Sequence, residues 1–263
     1  MSEIFRRLGE LIESSQTAAY CVIVAASGST PRGAGSKMLV FPDGQIEGTV
    51  GGGELEQRVI EVALKAIQDG KPQVVSYAMA DPDRGDPGVC GGQLEVYVEP
   101  LLPQPKVIVI GAGHVGREVA SLARWMGYSV VISDDREELL GHDLEEYGVI
   151  HHGSMNELAA EGMIHSQSYL VLTTRNVDVD VAGLPALLDT DAAFIGVIGS
   201  RRRWATTRDQ LLEMGITEDK IESIYSPVGL EIQAETPKEI ALSILAQITM
   251  VRQGGDGSSM AGK

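Results

Sequence analysis

Residues Lys106–Arg136 read KVIVIGAGHVGREVASLARWMGYSVVISDDR, and the fold turns on this stretch. Lys106–Ile110 is an apolar run suited to a buried strand, His114–Met126 has helical apolar spacing, and Ser129–Ser133 is a second buried strand. Gly111, Gly113 and Gly116 form G-x-G-x-x-G between the first strand and the helix. Alone the motif is weak; in a strand–turn–helix setting it is a phosphate-binding fingerprint. Gly111 would make the tight turn, Gly113 would let the backbone approach a phosphate, and Gly116 would let helix and strand pack closely. The helix N-terminus, beginning at His114, offers free N–H groups and a positive dipole end to an anion. Asp134, eighteen residues past Gly116, sits where it would accept hydrogen bonds from a ribose-like diol.

Downstream the pattern repeats. A helix is predicted over Glu137–Tyr147, a strand over Tyr169–Thr173, a helix over Val179–Leu188, a strand over Ala193–Ile198 and a helix over Arg201–Met214. Strands alternating with helices imply right-handed crossovers and a Rossmann-like parallel sheet covered on both faces. A last helix opens at Thr236-Pro237-Lys238-Glu239, where Thr236 is the N-cap, Pro237 the first helical residue and Glu239 the capping-box partner.

Upstream the order is irregular. A helix with apolar Ile4, Phe5, Leu8, Leu11 and Ile12 precedes the strand AAYCVIVAAS, a strand pair around Pro-Asp-Gly, a helix over Glu54–Gln68 and the strands QVVSYAM and QLEVYVEP. This is a smaller α+β domain by pattern. Three prolines in PLLPQP mark a linker, so the division expected is residues 1–102, a Rossmann-like domain over 103–252 and a disordered tail over 253–263.

Glycine is the compositional outlier, with 31 residues gathered in clusters. Gly51, Gly52 and Gly53, directly before an acidic helix, suggest a backbone approached closely by a ligand or a neighbouring segment. Net charge −16 excludes a general nucleic-acid binder and disfavours an anionic membrane surface. Cys21 and Cys90 form no disulfide framework, and no long apolar run or signal pattern is seen, so the chain reads as soluble and cytoplasmic. Ser200 caps a helix whose first turn carries Arg201, Arg202 and Arg203. Cations there oppose the helix dipole, which a bound anion would reverse; a solvated basic patch is the plainer alternative. Cys90 lies among glycines in a loop, open to a metal or sulfur, although a lone cysteine without a basic partner is more often inert. The pair His151-His152 has no accompanying ligand motif, and no metal site is assigned.

Taken together, GSTPRGAGSKMLV, TVGGGELE, CGGQLEVYVEP, VIVIGAGHVG, FIGVIGSRRR and SPVGLEIQAETPKEIALSILAQI resemble the XdhC/CoxI family, accessory proteins of molybdenum hydroxylases such as xanthine dehydrogenase and carbon monoxide dehydrogenase. The resemblance implies a chaperone that binds molybdenum cofactor of the molybdopterin type, protects it during sulfuration and delivers it to an apo molybdenum hydroxylase. A cysteine desulfurase partner and a homodimer go with that reading. It would draw Gly51–Gly53, Cys90, the glycine turn with His114 and Asp134, and Ser200–Arg203 into cofactor binding. One segment departs: many members of the resembled family carry Thr-His-x-His-x-x-Asp after a strand, and here Thr174-Arg175-Asn176-Val177-Asp178-Val179-Asp180 keeps only Thr174 and Asp180. Two other readings stay open. An NAD(P)-dependent oxidoreductase would use the same turn, with His114, Lys37 or Tyr169 as acid or base; a nucleotide-sensing regulator would bind there and signal through the N-terminal half.

Overall fold

The structure is a computed structural model and describes residues 3–79, 87 and 90–261. The chain forms two compact units, Met1–Pro103 and Gln104–Lys263.

The first unit is built on one antiparallel sheet of order β3-β2-β1-β5-β4. Its strands are β1 (Ala18–Ser27), β2 (Lys37–Val40), β3 (Ile46–Gly48), β4 (Gln73–Ala78) and β5 (Gln93–Leu101). Alternation sorts the side chains by face. Cys21, Ile23, Met38, Val40, Val96 and Val98 point toward Leu55, Val59 and Ala63 of helix α2 (Gly53–Asp69). Ala18 and Leu39 on the opposite face meet Leu11 of helix α1 (Glu3–Glu13). The turn-rich stretch expected between β4 and β5 falls in large part outside the described residues.

The second unit is a parallel sheet of order β10-β9-β6-β7-β8. Its strands are β6 (Lys106–Ile110), β7 (Ser129–Asp134), β8 (Val149–His152), β9 (Ser168–Leu172) and β10 (Phe194–Val197). A parallel sheet is buried on both faces, so its strands are nearly continuously apolar. Val107, Val109, Val130, Ile132 and Val171 face helices α3 (His114–Trp125) and α8 (Pro237–Gln253). Ile108, Ile110, Val131, Leu170 and Leu172 face α4 (Met155–Ala160), α5 (Val177–Leu188), α6 (Arg201–Glu213) and α7 (Glu218–Glu222).

The helix expected over Glu137–Tyr147 is instead a pair of single 3-10 turns, Glu137–Leu139 and His142–Leu144, separated around Gly141. Leu139, Leu140, Leu144 and Tyr147 still reach the core, so the apolar spacing reported burial rather than a continuous helix. The short helices α4 and α7 gave no periodic signal because each is too brief to repeat its face. In the structure, α4 opens on a capping box of Ser154 and Glu157. Both the Thr236–Glu239 capping box and Pro237 stand where the sequence put them.

Phe194 is buried and stacks on Tyr225 at 4.5 Å, joining β10 to the segment that leads to α8. Phe194→Ala is expected to lower stability by about 3–5 kcal/mol, read as a shift in the denaturant midpoint at unchanged slope.

Candidate functional site

The chain leaves β6 toward β7 and β8 on one side, then returns to build β9 and β10 on the other. The switch point is therefore the carboxyl edge between β6 and β9, where open α/β sheets have their crevice. The glycine turn, Asp134 and the Ser200–Arg203 segment all follow carboxyl ends of strands in this one sheet.

The three glycines of the turn have three different reasons. Gly111 has φ +112°, and a Cβ there would lie 2.7 Å from the Thr173 carbonyl oxygen. Gly116 lets α3 approach so closely that a Cβ would fall 1.9 Å from the Gly111 carbonyl oxygen. Gly113 has an ordinary φ of −72°, and no atom lies within 4 Å of an added Cβ. Neither conformation nor packing requires glycine there. What its bare backbone leaves is open access to the first N–H groups of α3, with His114 exposed beside it.

Asp134 does not stand free as a diol acceptor. Its Oδ2 accepts from the Ala112 N–H at 2.8 Å and from Arg136 Nη2 at 2.9 Å. Its Oδ1 accepts from the Arg136 N–H at 3.0 Å and from Arg136 Nε at 2.9 Å. A carboxylate offers about four lone-pair sites, and all are taken. Asp134 thus fixes the glycine turn to the end of β7.

Beside it a cleft of about 140 Å³ opens, lined by Gly111, Asp134, Asp135, Arg136 and Arg175 at its polar rim and by Ile110, Met155 and Val179 within. Arg175, from the loop after β9, makes a two-pronged pair with Asp135 at 2.7 and 2.8 Å. Those hydrogen bonds from Arg175 hold the Asp135 carboxyl down to about 2. Sequence reasoning missed this pair. The signal was the Asp-Asp-Arg ending β7, set against a cation at position 175.

The arginine cluster divides. Arg201 and Arg202 are exposed. Arg203 turns inward: Nη2 donates to Asp180 Oδ2 at 2.6 Å and to the Thr174 hydroxyl oxygen at 2.7 Å, and Nη1 donates to the Thr174 carbonyl at 3.1 Å. Asp180 is fully buried and also accepts from the Thr174 hydroxyl. This corrects the expectation that all three arginines offer charge to a ligand, because Arg203 is held by a buried carboxylate. Ser200 does cap α6, accepting from the Arg203 N–H at 3.2 Å.

In the first unit, Gly51, Gly52 and Gly53 have φ of +147°, +77° and +62°. A Cβ on Gly51 would press on Pro31 and Leu55, whereas nothing lies within 4 Å of one on Gly52 or Gly53. Backbone conformation, more than close approach, explains the triplet. The loop is folded around Glu56, whose carboxylate accepts from the Thr49 hydroxyl and from the N–H groups of Val50 and Gly52, both at 3.3 Å. Cys90 is exposed; Cys21 is buried, and burial pushes its thiol up to about 12. Among the described residues no group of three or more His, Cys, Asp or Glu could hold a metal ion. No helix of the described residues is long and apolar enough to cross a membrane.

The acid–base candidates of the oxidoreductase reading fare unequally. Tyr169 is buried edge-on against Tyr128 in the sheet core, and Lys37 lies in the first unit donating to the Gly35 carbonyl at 2.6 Å. His114 alone of the three stands at the glycine turn.

A family profile described as the XdhC Rossmann domain matches residues 107–248, and one described as the XdhC and CoxI family matches residues 11–78. The chain belongs to the XdhC and CoxI family. It is 35% identical over 260 residues to the uncharacterised protein YqeB of Escherichia coli (strain K12), covering 98% of this chain and 48% of that one, so it spans about half of YqeB's length. It is 22% identical over 279 residues to the molybdenum cofactor insertion chaperone PaoD of the same organism, covering 95% of this chain and 88% of PaoD. Among solved structures, a xanthine dehydrogenase from Bacillus halodurans shares the fold at TM-score 0.51 and 22% identity, over 100% of this chain and 99% of that one. In the segment Thr174–Asp180, its first and last residues are the two locked to Arg203, and Arg175 between them turns to Asp135.

Arg203→Ala should leave Asp180 buried and unpaired, costing about 3–5 kcal/mol, whereas Arg202→Ala should stay within about 0.5 kcal/mol of the parent; paired urea titrations check this. Gly116→Ala should destabilise by about 1–3 kcal/mol through overpacking, while Gly113→Ala should melt like the parent in calorimetry.

Proposed function

We propose that this protein binds molybdenum cofactor through its terminal phosphate and hands it to an apo molybdenum hydroxylase of the xanthine dehydrogenase type. The observation that carries the proposal is Gly113. A glycine demanded by neither packing nor conformation, at a helix start on the switch-point edge, leaves room for a phosphate-bearing ligand. Family membership, and the extended similarity to a cofactor insertion chaperone, indicate which ligand.

The phosphate end of the cofactor fits the residues present. The N–H groups following Gly113 would hold it, and Arg201 and Arg202, exposed at the start of α6, would add charge along the same sheet edge. When bound, the cofactor would carry molybdenum redox chemistry for use in the client enzyme. This chain's part is to bind and release, which favours moderate affinity, on the order of micromolar. Of the three acid–base candidates of the oxidoreductase reading, His114 alone lies at the glycine turn.

Added to a purified apo molybdenum hydroxylase with a cofactor source, the protein should raise recovered hydroxylase activity several-fold. It should also retain a pterin in native anaerobic mass spectrometry. Gly113→Val, which fills the approach without disturbing the fold, should lose both effects. Retention unchanged by Gly113→Val would move the cofactor elsewhere, and no gain for any hydroxylase would remove the delivery role.

A further inference from the structure

The cleft beside the glycine turn has two arginines, Arg136 and Arg175, in its lining. Two guanidiniums converge on one carboxylate oxygen: Arg175 Nη1 lies 2.7 Å, and Arg136 Nε 3.8 Å, from Asp135 Oδ1. Arg136 is anchored by its two-pronged contact with the buried Asp134, which fixes its direction. Asp135 is not buried; its side chain is 42% exposed, and that of Arg175 is 39% exposed. The carboxylate at this rim is therefore a resident anion on a solvent-facing arm, and both arginines keep unused N–H donors.

The chemistry of the surroundings restricts the ligand. The acceptor sites of Asp134 are filled, so a ribose with a free diol finds no carboxylate there. A ribose bearing a phosphate finds two guanidiniums suited to charge-assisted, paired contacts. Inside the rim, Ile110, Met155 and Val179 offer an apolar wall to a base or sugar. Gly111 lines the same cleft, so a ligand with one phosphate at the glycine turn can place its other end at the rim.

We infer that this cleft recognises a nucleotide carrying a phosphomonoester on its ribose, and that Asp135 occupies the phosphate position until such a ligand displaces it. The nucleotide would share the glycine turn with the proposed cofactor, but the rim formed by Arg136 and Arg175 is its own, so a test at the rim fails or succeeds apart from hydroxylase maturation. Adenosine 2′,5′-bisphosphate and adenosine 5′-diphosphate serve as probes in calorimetry with the full chain. The first should bind at least tenfold more tightly, with a steeper salt dependence. Arg175→Gln should reduce the preference to below threefold, and Asp135→Asn, which removes the competing charge, should widen it while leaving 5′-diphosphate binding unchanged. Both substituted side chains are well exposed, and an unaltered melting temperature checks the fold. Equal affinities for the two probes, binding of neither at millimolar concentration, or a preference that survives Arg175→Gln would each overturn the inference.

Discussion

The contact on which the second unit depends is the approach of α3 to the turn that precedes it. Gly116 sits against the Gly111 carbonyl, and the Thr173 hydroxyl donates to that same carbonyl at 2.7 Å. One oxygen thus ties the end of β6, the end of β9 and the first turns of α3 together. Because this oxygen is satisfied from within, α3 starts at a fixed place on the sheet edge and its terminal N–H groups face outward. Asp134 completes the arrangement from the β7 side by accepting from Ala112. The open space at Gly113 has meaning only because everything around it is over-determined.

The same edge shows how an acidic chain manages its cations. With 21 Lys and Arg against 37 Asp and Glu, carboxylates are in excess, and several of the basic groups on this edge are met by one. Arg203 has Asp180, Arg175 has Asp135, Arg136 has Asp134 and Arg208 has Glu218. These pairs are not equivalent. Asp180 is wholly enclosed, so its arginine is structural, whereas Asp135 is open to solvent and its pairing is screened and exchangeable.

The parallel sheet was legible because burial on both faces writes apolar runs into β6, β7, β9 and β10, and because the glycine motif sits between a strand and a helix. The caps at Ser200 and Thr236 were legible as local chemistry. What could not be read were interactions joining distant positions. Nothing local in Ser-Arg-Arg-Arg says which arginine turns inward; that depends on Asp180, which a separate crossover brings alongside. The role of Asp134 was misread for a related reason, since the following Arg136 and the turn N–H of Ala112 fill its acceptor sites. Gly51–Gly53 suggested a close neighbour, yet three positive φ angles supply the reason, and backbone angles leave no periodic trace in a sequence.

The lock of Thr174, Asp180 and Arg203 bears on how such a chain can change over time. Each member satisfies the other two in an enclosed space, so an exchange at one position leaves a polar orphan at the others. The three side chains therefore act as one structural unit, and a single exchange within it costs stability that a matched change elsewhere in the trio would have to restore. Arg175, next in the chain to Thr174 but turned to solvent, is under no such restraint. Within two adjacent residues the fold sets an enclosed, fully engaged side chain beside one whose partner lies in solvent.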